Sequence, residues 1–232
     1  MLLTNASELF KRMSHAAMRA GRNPEEVRLV AVTKTVDVKD IVEAMEAGLR
    51  IFGESRIQEA QKKVMDDRLS EMRAGMEWHF IGHLQKNKAK YAVSMFDLIH
   101  TVDSVSLAED LNREAEKVGK NQRVLVQLKL SEEGSKRGVF EQELASLLER
   151  IHGLANLKLE GLMGMPPYFE DPKNTRQYFR RLRKRRDMAE VEGFHLPELS
   201  MGMSHDFEVA IEEGATLVRI GSALFGERSK RL

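Results

Sequence analysis

One apolar run of this chain, Val27-Arg28-Leu29-Val30-Ala31-Val32-Thr33-Lys34, ends on a lysine. The run is short and rich in β-branched residues, the pattern of a buried strand, and a helical pattern starts after Asp37. An amine where a strand ends and its loop begins sits where α/β folds place their chemistry. There a lysine can attack a carbonyl and form a Schiff base. Taken alone, Lys34 reads as an ordinary solvated residue at a strand end, because charged side chains are mostly exposed. Its company elsewhere in the chain changes that reading.

Two later segments have the composition of an anion cradle. Ser200-Met201-Gly202-Met203-Ser204-His205-Asp206 puts small and hydroxyl residues between a strand and a helix starting near Asp206, and Ile220-Gly221-Ser222 follows the last strand. Free N–H groups and a helix dipole then face one spot, and loops after strands seven and eight are the recurrent phosphate site of α/β barrels. A Gly-Ser pair at a helix start is by itself a cap, and Met163, Met165, Met201 and Met203 read as packing. Together with an amine on strand one, the segments suit a phosphorylated aldehyde, of which pyridoxal 5′-phosphate (PLP) is the commonest cofactor.

The elements that must position these groups alternate along the chain. Glu8 to Ala20 is an amphipathic helix closed by Gly21 and Pro24, and the strand ending at Lys34 follows. A helix from Asp37 to Ala47, stopped by Gly48, precedes a second strand at Leu49 to Gly53. Further strands are expected at Glu77 to Gly82, Asp97 to Val102, Arg123 to Leu130, Leu157 to Gly164, Glu198 to Ser200 and Thr216 to Ile220. The helix Ser104 to Val118 ends at Gly119. Eight strands, each followed by a helical stretch, describe a single (β/α)8 barrel over residues 1–232 with an extra N-terminal helix. An open doubly wound sheet ranks second, because no strand is left over to form an edge.

Parity sorts the side chains of such a barrel, since residues alternate between the lumen and the helices. Val30, Val32 and Lys34 share one face, as do Gln127 and Lys129, while Arg219 and Gly221 oppose Val218 and Ile220. Lys34, Lys129 and Arg219 would then meet at one rim. Three buried cations need compensation, which an anionic ligand provides, and their crowding favours the free amine that attacks a carbonyl.

Composition narrows the function classes. Hydrophobic residues at 42 % and charged residues at 31 %, with five prolines in 232 residues, describe a globular chain. Without cysteine, disulfides, thiolate zinc sites and thiol nucleophiles are excluded. The N-terminus lacks a basic region followed by a long apolar core, and no stretch is long enough to span a membrane, so a cytoplasmic location is expected. A net charge of +1 gives no global argument for nucleic acid. The run from Arg180 to Arg186 lies in a helical pattern with Phe179 and Leu182 on its apolar side and reads as a solvated face, though it could meet an anionic partner.

At this point the chain resembles the YggS/PROSC family of pyridoxal-phosphate homeostasis proteins, which share the barrel of the alanine racemase N-terminal domain, a fold type III PLP barrel. The resemblance covers nearly the whole chain, through Leu29 to Thr35, Phe52-Gly53-Glu54, Trp78 to Lys88, Gly161-Leu162-Met163, Leu199 to Ser204 and Val218 to Gly226. It implies that Lys34 carries PLP as an aldimine, that Ser200, Ser204, Gly221 and Ser222 hold its phosphate with Met201 beside them, and that Arg219 faces the pyridine nitrogen. A guanidinium there keeps the nitrogen unprotonated and the ring a weak electron sink. Three positions depart from the family pattern: Ser55-Arg56 follows Gly53-Glu54 where Asn-Tyr is usual, His205 replaces an asparagine, and Lys129 stands where asparagine is frequent.

The resemblance implies a carrier that serves intracellular PLP homeostasis, with PLP-dependent apoenzymes as recipients; composition and charge add the expectation of no membrane partner and disfavour nucleic acid. An amino-acid racemase is the alternative, but racemases of this barrel type take a tyrosine base from a second domain, and this sequence stops at Leu232. A lysine-dependent aldolase would want its amine on a later strand. RNA binding would use the basic helix and weaken steeply with salt. His79 and His83 either line the ligand or pack structurally, and a lone histidine favours packing.

Overall fold

The computed structural model describes residues 1–131 and 137–226. Eight parallel strands close into a barrel in chain order: β1 (Arg28–Val32), β2 (Ile51–Glu54), β3 (Glu77–Phe80), β4 (Leu98–Val102), β5 (Gln122–Leu128), β6 (Leu157–Gly164), β7 (Glu198–Met203) and β8 (Leu217–Ile220). Pairing of β1 with β8 closes the ring, which replaces the open-sheet alternative. The helices are α1 (Leu2–Arg19), α2 (Val38–Glu46), α3 (Ile57–Val64), α4 (Asp67–Ser70), α5 (Ala89–Met95), α6 (Val105–Lys117), α7 (Glu141–His152), α8 (Arg176–Val191), α9 (Phe207–Glu212) and α10 (Ser222–Phe225). No helix among the described residues is long and apolar enough to cross a membrane.

Helix α1 starts six residues before the expected Glu8, because Leu2 and Ala6 extend the buried stripe of Leu9, Met13, Ala16 and Ala17. It packs on α9 and α10, with Asn5 Nδ2 donating to Leu224 O (2.9 Å) and Arg12 paired to Glu208 (3.1 Å). The strands bury both faces, as parallel strands do. Their outward residues join the main core with the helices, and their inward residues Val30, Ile51, Leu98, Leu125, Met163 and Leu217 form a separate apolar cluster in the lumen.

The basic run lies on α8, where Phe179 and Leu182 are buried. Its arginines reach neighbouring carboxylates: Arg176 and Arg180 meet Glu213 (2.6 and 3.1 Å), and Arg181 and Arg185 meet Glu141 on α7. These are contacts of a solvated helix face within the molecule. The arginines stay partly exposed while the Glu213 carboxylate is buried, so these pairs anchor α8 to its neighbours.

Candidate functional site

Strand β1 ends at Val32, two residues short of the expected Lys34, because the chain turns there: Val36 N donates to Thr33 O (2.9 Å). Thr33 stays attached to β2 through its N–H to Gly53 O (3.0 Å) and its hydroxyl to Glu54 Oε1 (2.6 Å). Thr35 takes φ 62°, a left-handed conformation uncommon for a β-branched residue. Between them Lys34 is exposed and lines a cavity of ≈ 600 Å³ at the C-terminal mouth of the barrel. Arg219, Ser204, Gly221 and Ser222 line the same cavity, as do Ser55 and His205, and Val32, Ile81, Met165 and Met203 supply apolar wall.

Strand β7 runs to Met203, three residues beyond the expected Ser200. Between Ser200 opposite Leu217 and Met203 opposite Arg219 its register slips, the mark of an inserted residue. Gly202 allows this: its φ is +88°, and a Cβ there would lie 2.5 Å from the Ala210 Cβ. Beyond the slip, Met203 and Ser204 face the cavity, and Ser204 Oγ accepts the N–H groups of Gly221 (3.2 Å) and Ala223 (3.4 Å). The same geometry separates two expected residues from the cradle. Met201 is buried in the outer core, and Ser200 lies deeper in the lumen with its hydroxyl already engaged.

Ser200 belongs to a chain of hydrogen bonds whose direction is fixed. The ionised Glu77 only accepts, so with both imidazoles neutral each ring in turn donates from Nε2 and accepts at Nδ1; Ser200 Oγ then accepts from Arg219 Nη1 (2.5 Å) and gives its own hydrogen to His100 Nδ1 (2.8 Å). His100 is then a neutral imidazole donating from Nε2 to His79 Nδ1 (3.0 Å), and His79 donates from Nε2 to Glu77 (3.1 Å). Burial holds His100 well below the usual histidine range, and it holds His79 below that range despite the Glu77 carboxylate. Arg219 is 4 % exposed and also donates to Gly164 O (3.1 Å). Burial brings its pKa down to about 10, so it stays protonated at neutral pH.

Glu77 sits at the far end of the chain of bonds, near the N-terminal mouth. The His79 N–H, and against partial burial the Arg123 guanidinium (3.0 Å), hold it at about 2. In the unfolded chain it titrates near 4.5, so the stability it contributes is complete above that pH and is lost as pH falls toward 2. Glu77→Gln should therefore lower stability at neutral pH and flatten its decline between pH 4.5 and about 2, read by urea denaturation. An acid limb as steep as that of the unmodified protein would contradict this.

Lys129 does not join the cavity. Its ammonium lies over the Phe140 ring, 4.8 Å from the centroid, so the expected trio of cations is the pair Lys34 and Arg219. His79 is in the lumen and His83 is exposed. His205 Nε2 donates to the carbonyls of Phe169 (3.0 Å) and Glu170 (3.1 Å), and its ring is 5.3 Å from that of Tyr168.

A second cavity, of ≈ 530 Å³, brings together Arg22, Arg28, Arg183 and Arg186. Each of these is answered by a carboxylate, from Glu26, Glu198, Glu213 and Asp187 respectively. The mouth with Lys34 is thus the better site for an anion. Its donors suit PLP: an amine for the aldehyde, hydroxyls for the phosphate, a guanidinium, and apolar walls for a ring.

The chain matches the family of the alanine racemase N-terminal domain over residues 7–229. It is 46 % identical over 223 residues to the pyridoxal phosphate homeostasis protein of Aquifex aeolicus, covering 96 % of each chain. This chain belongs to the pyridoxal phosphate homeostasis protein family. Among solved structures similar to it is PipY, from Synechococcus elongatus, with PLP bound: TM-score 0.82, 34 % identity, 97 % of this chain and 100 % of PipY covered. The alanine racemase of Clostridium difficile has a TM-score of 0.67 at 14 % identity, over 96 % of this chain and 57 % of that enzyme, and shares the fold.

Residues behind the cavity are legible in the sequence only in part. Lys63 continues the buried face of α3 marked by Ile57 and Ala60, an anomaly that periodicity exposes. Glu54 ends an apolar strand at 0 % exposure. His100 carries no such signal, because its partners come from β3 and β7.

Proposed function

We propose that this protein binds PLP in the cavity at the C-terminal mouth, holds it through Lys34, and delivers it in the cytoplasm to PLP-dependent apoenzymes. The observation that carries this reading is the convergence of Lys34, Arg219 and the Ser204, Gly221, Ser222 cradle on one cavity of fitting size. Bound PLP supplies an aldehyde and an electron-withdrawing ring. Lys34 provides the amine for the aldehyde carbon. The N–H groups of Gly221 and Ala223 hold the Ser204 oxygen, which leaves the Ser204 hydroxyl hydrogen, with the Ser222 hydroxyl, as a donor for the phosphate. Arg219 presents a fixed positive donor suited to an unprotonated ring nitrogen, oriented from below by Ser200 and Gly164 O.

The same residues weigh against amino-acid turnover. Racemisation needs proton donors and acceptors on both faces of the ring. Of the described residues lining the cavity, Lys34 and His205 carry an amine or imidazole nitrogen, and His205 commits Nε2 to two carbonyls. Loaded protein mixed with a PLP-free apoenzyme should restore that enzyme's activity while leaving added L-alanine unchanged on a chiral column. Enantiomer interconversion that disappears with Lys34→Ala would make the protein a racemase instead.

A further inference from the structure

We propose that Lys63 and Glu59, backed by Glu54, are positioning residues that aim Lys34 into the cavity by holding the residues on either side of it. The inference rests on Lys34 being the amine that takes the aldehyde. None of the three lines the cavity.

Lys63 is 6 % exposed on the inner face of α3. Its ammonium has three hydrogens, and three acceptors surround it: Thr33 O at 2.6 Å, Glu54 Oε1 at 2.7 Å and Glu59 Oε1 at 2.8 Å. A buried charge persists only when paired and hydrogen-bonded, so this full complement fixes the ammonium where β1, β2 and α3 meet. Glu59, one helical turn before Lys63, also accepts the Thr35 N–H. Thr33 is therefore held through its carbonyl and Thr35 through its amide, and Lys34 is the residue between. The left-handed conformation of Thr35 points the same way, because a β-branched residue stays there only where its surroundings hold it. A lysine on an unrestrained turn would sample many directions; one tethered on both sides keeps its amine near the mouth, where placement governs the rate of bond formation.

The test compares the unmodified protein with Glu59→Ala and Glu59→Gln, the second of which keeps an acceptor for Thr35. Hydrogen exchange at the Thr35 amide is read in the cofactor-free protein. PLP capture at Lys34 is read by borohydride trapping and peptide mapping, and affinity for pyridoxine 5′-phosphate, which has ring and phosphate but no aldehyde, by calorimetry. Glu59→Ala should speed Thr35 exchange and slow capture by about tenfold or more, with pyridoxine 5′-phosphate affinity unchanged, and Glu59→Gln should behave as the unmodified protein. Capture at the normal rate in Glu59→Ala overturns the proposal, and so does unaltered Thr35 exchange. Parallel loss of pyridoxine 5′-phosphate binding overturns it too, since the residue would then support the whole mouth. An unmodified protein that takes up no PLP sinks the binding reading, while Thr35 exchange still decides whether the turn is held.

Discussion

Lys34→Ala should reduce covalent PLP incorporation to background while the protein remains folded. Lys34 is exposed and lies beyond the last ladder residue of β1, so truncating it should change stability by no more than about 0.5 kcal/mol. The phosphate donors at Ser204 and Ser222 are untouched, so weak, reversible binding survives. Borohydride reduction followed by peptide mapping of the unmodified protein should place the label on Lys34. Lys129 is the internal control, since its ammonium lies over Phe140. A label on Lys129, or undiminished incorporation in Lys34→Ala, would overturn the assignment.

A second large effect concerns stability. Lys63→Met would leave the Glu54 carboxylate, which is 0 % exposed and whose Oε2 has no hydrogen-bond partner, without a counter-charge and with the Thr33 hydroxyl (2.6 Å) as its remaining donor. Burial already raises the Glu54 pKa even with Lys63 beside it. Removing one partner of a buried ion pair costs about 3–5 kcal/mol, whereas removing both costs far less. Urea denaturation should show that loss for Lys63→Met and a partial recovery in Lys63→Met combined with Glu54→Gln, the coupling expected of groups in contact. A loss below about 1 kcal/mol would mean that water or a local shift solvates the carboxylate.

The sequence carries the barrel more legibly than the site. Strands of the ring are apolar runs separated by helical periods, and that local pattern places β1, β2, β4 and β6 to within a few residues. Lys34 and Arg219 stand out because each interrupts such a run at inward parity. What local pattern misses is the vertical order within the lumen. Ser200 looks like a cradle residue because it adjoins Ser204 in sequence, but the slip at Gly202 puts the two at different depths. The chain of bonds from Arg219 to Glu77 joins side chains from four strands, and the Lys63 cluster joins two strand ends to a helix. Such polar networks are defined by which strands become neighbours, which no single stretch records.

Pairing of β1 with β8 completes the site, which therefore exists only in the closed ring. Lys34 follows the first strand and Arg219 lies on the last, so the amine and the guanidinium are nearly the whole chain apart until the ring closes. Contacts of such long sequence separation form slowly, because chain entropy is given up before they return any energy. A chain still emerging from the ribosome therefore holds the amine without the guanidinium or the Gly221-Ser222 loop, and cannot grip PLP from both sides. Once the ring has closed, a ligand bridging the two strands favours only the closed state and acts as a clasp on the seam, stabilising the fold according to its concentration relative to its affinity. The barrel would then unfold at higher denaturant concentration as PLP is added.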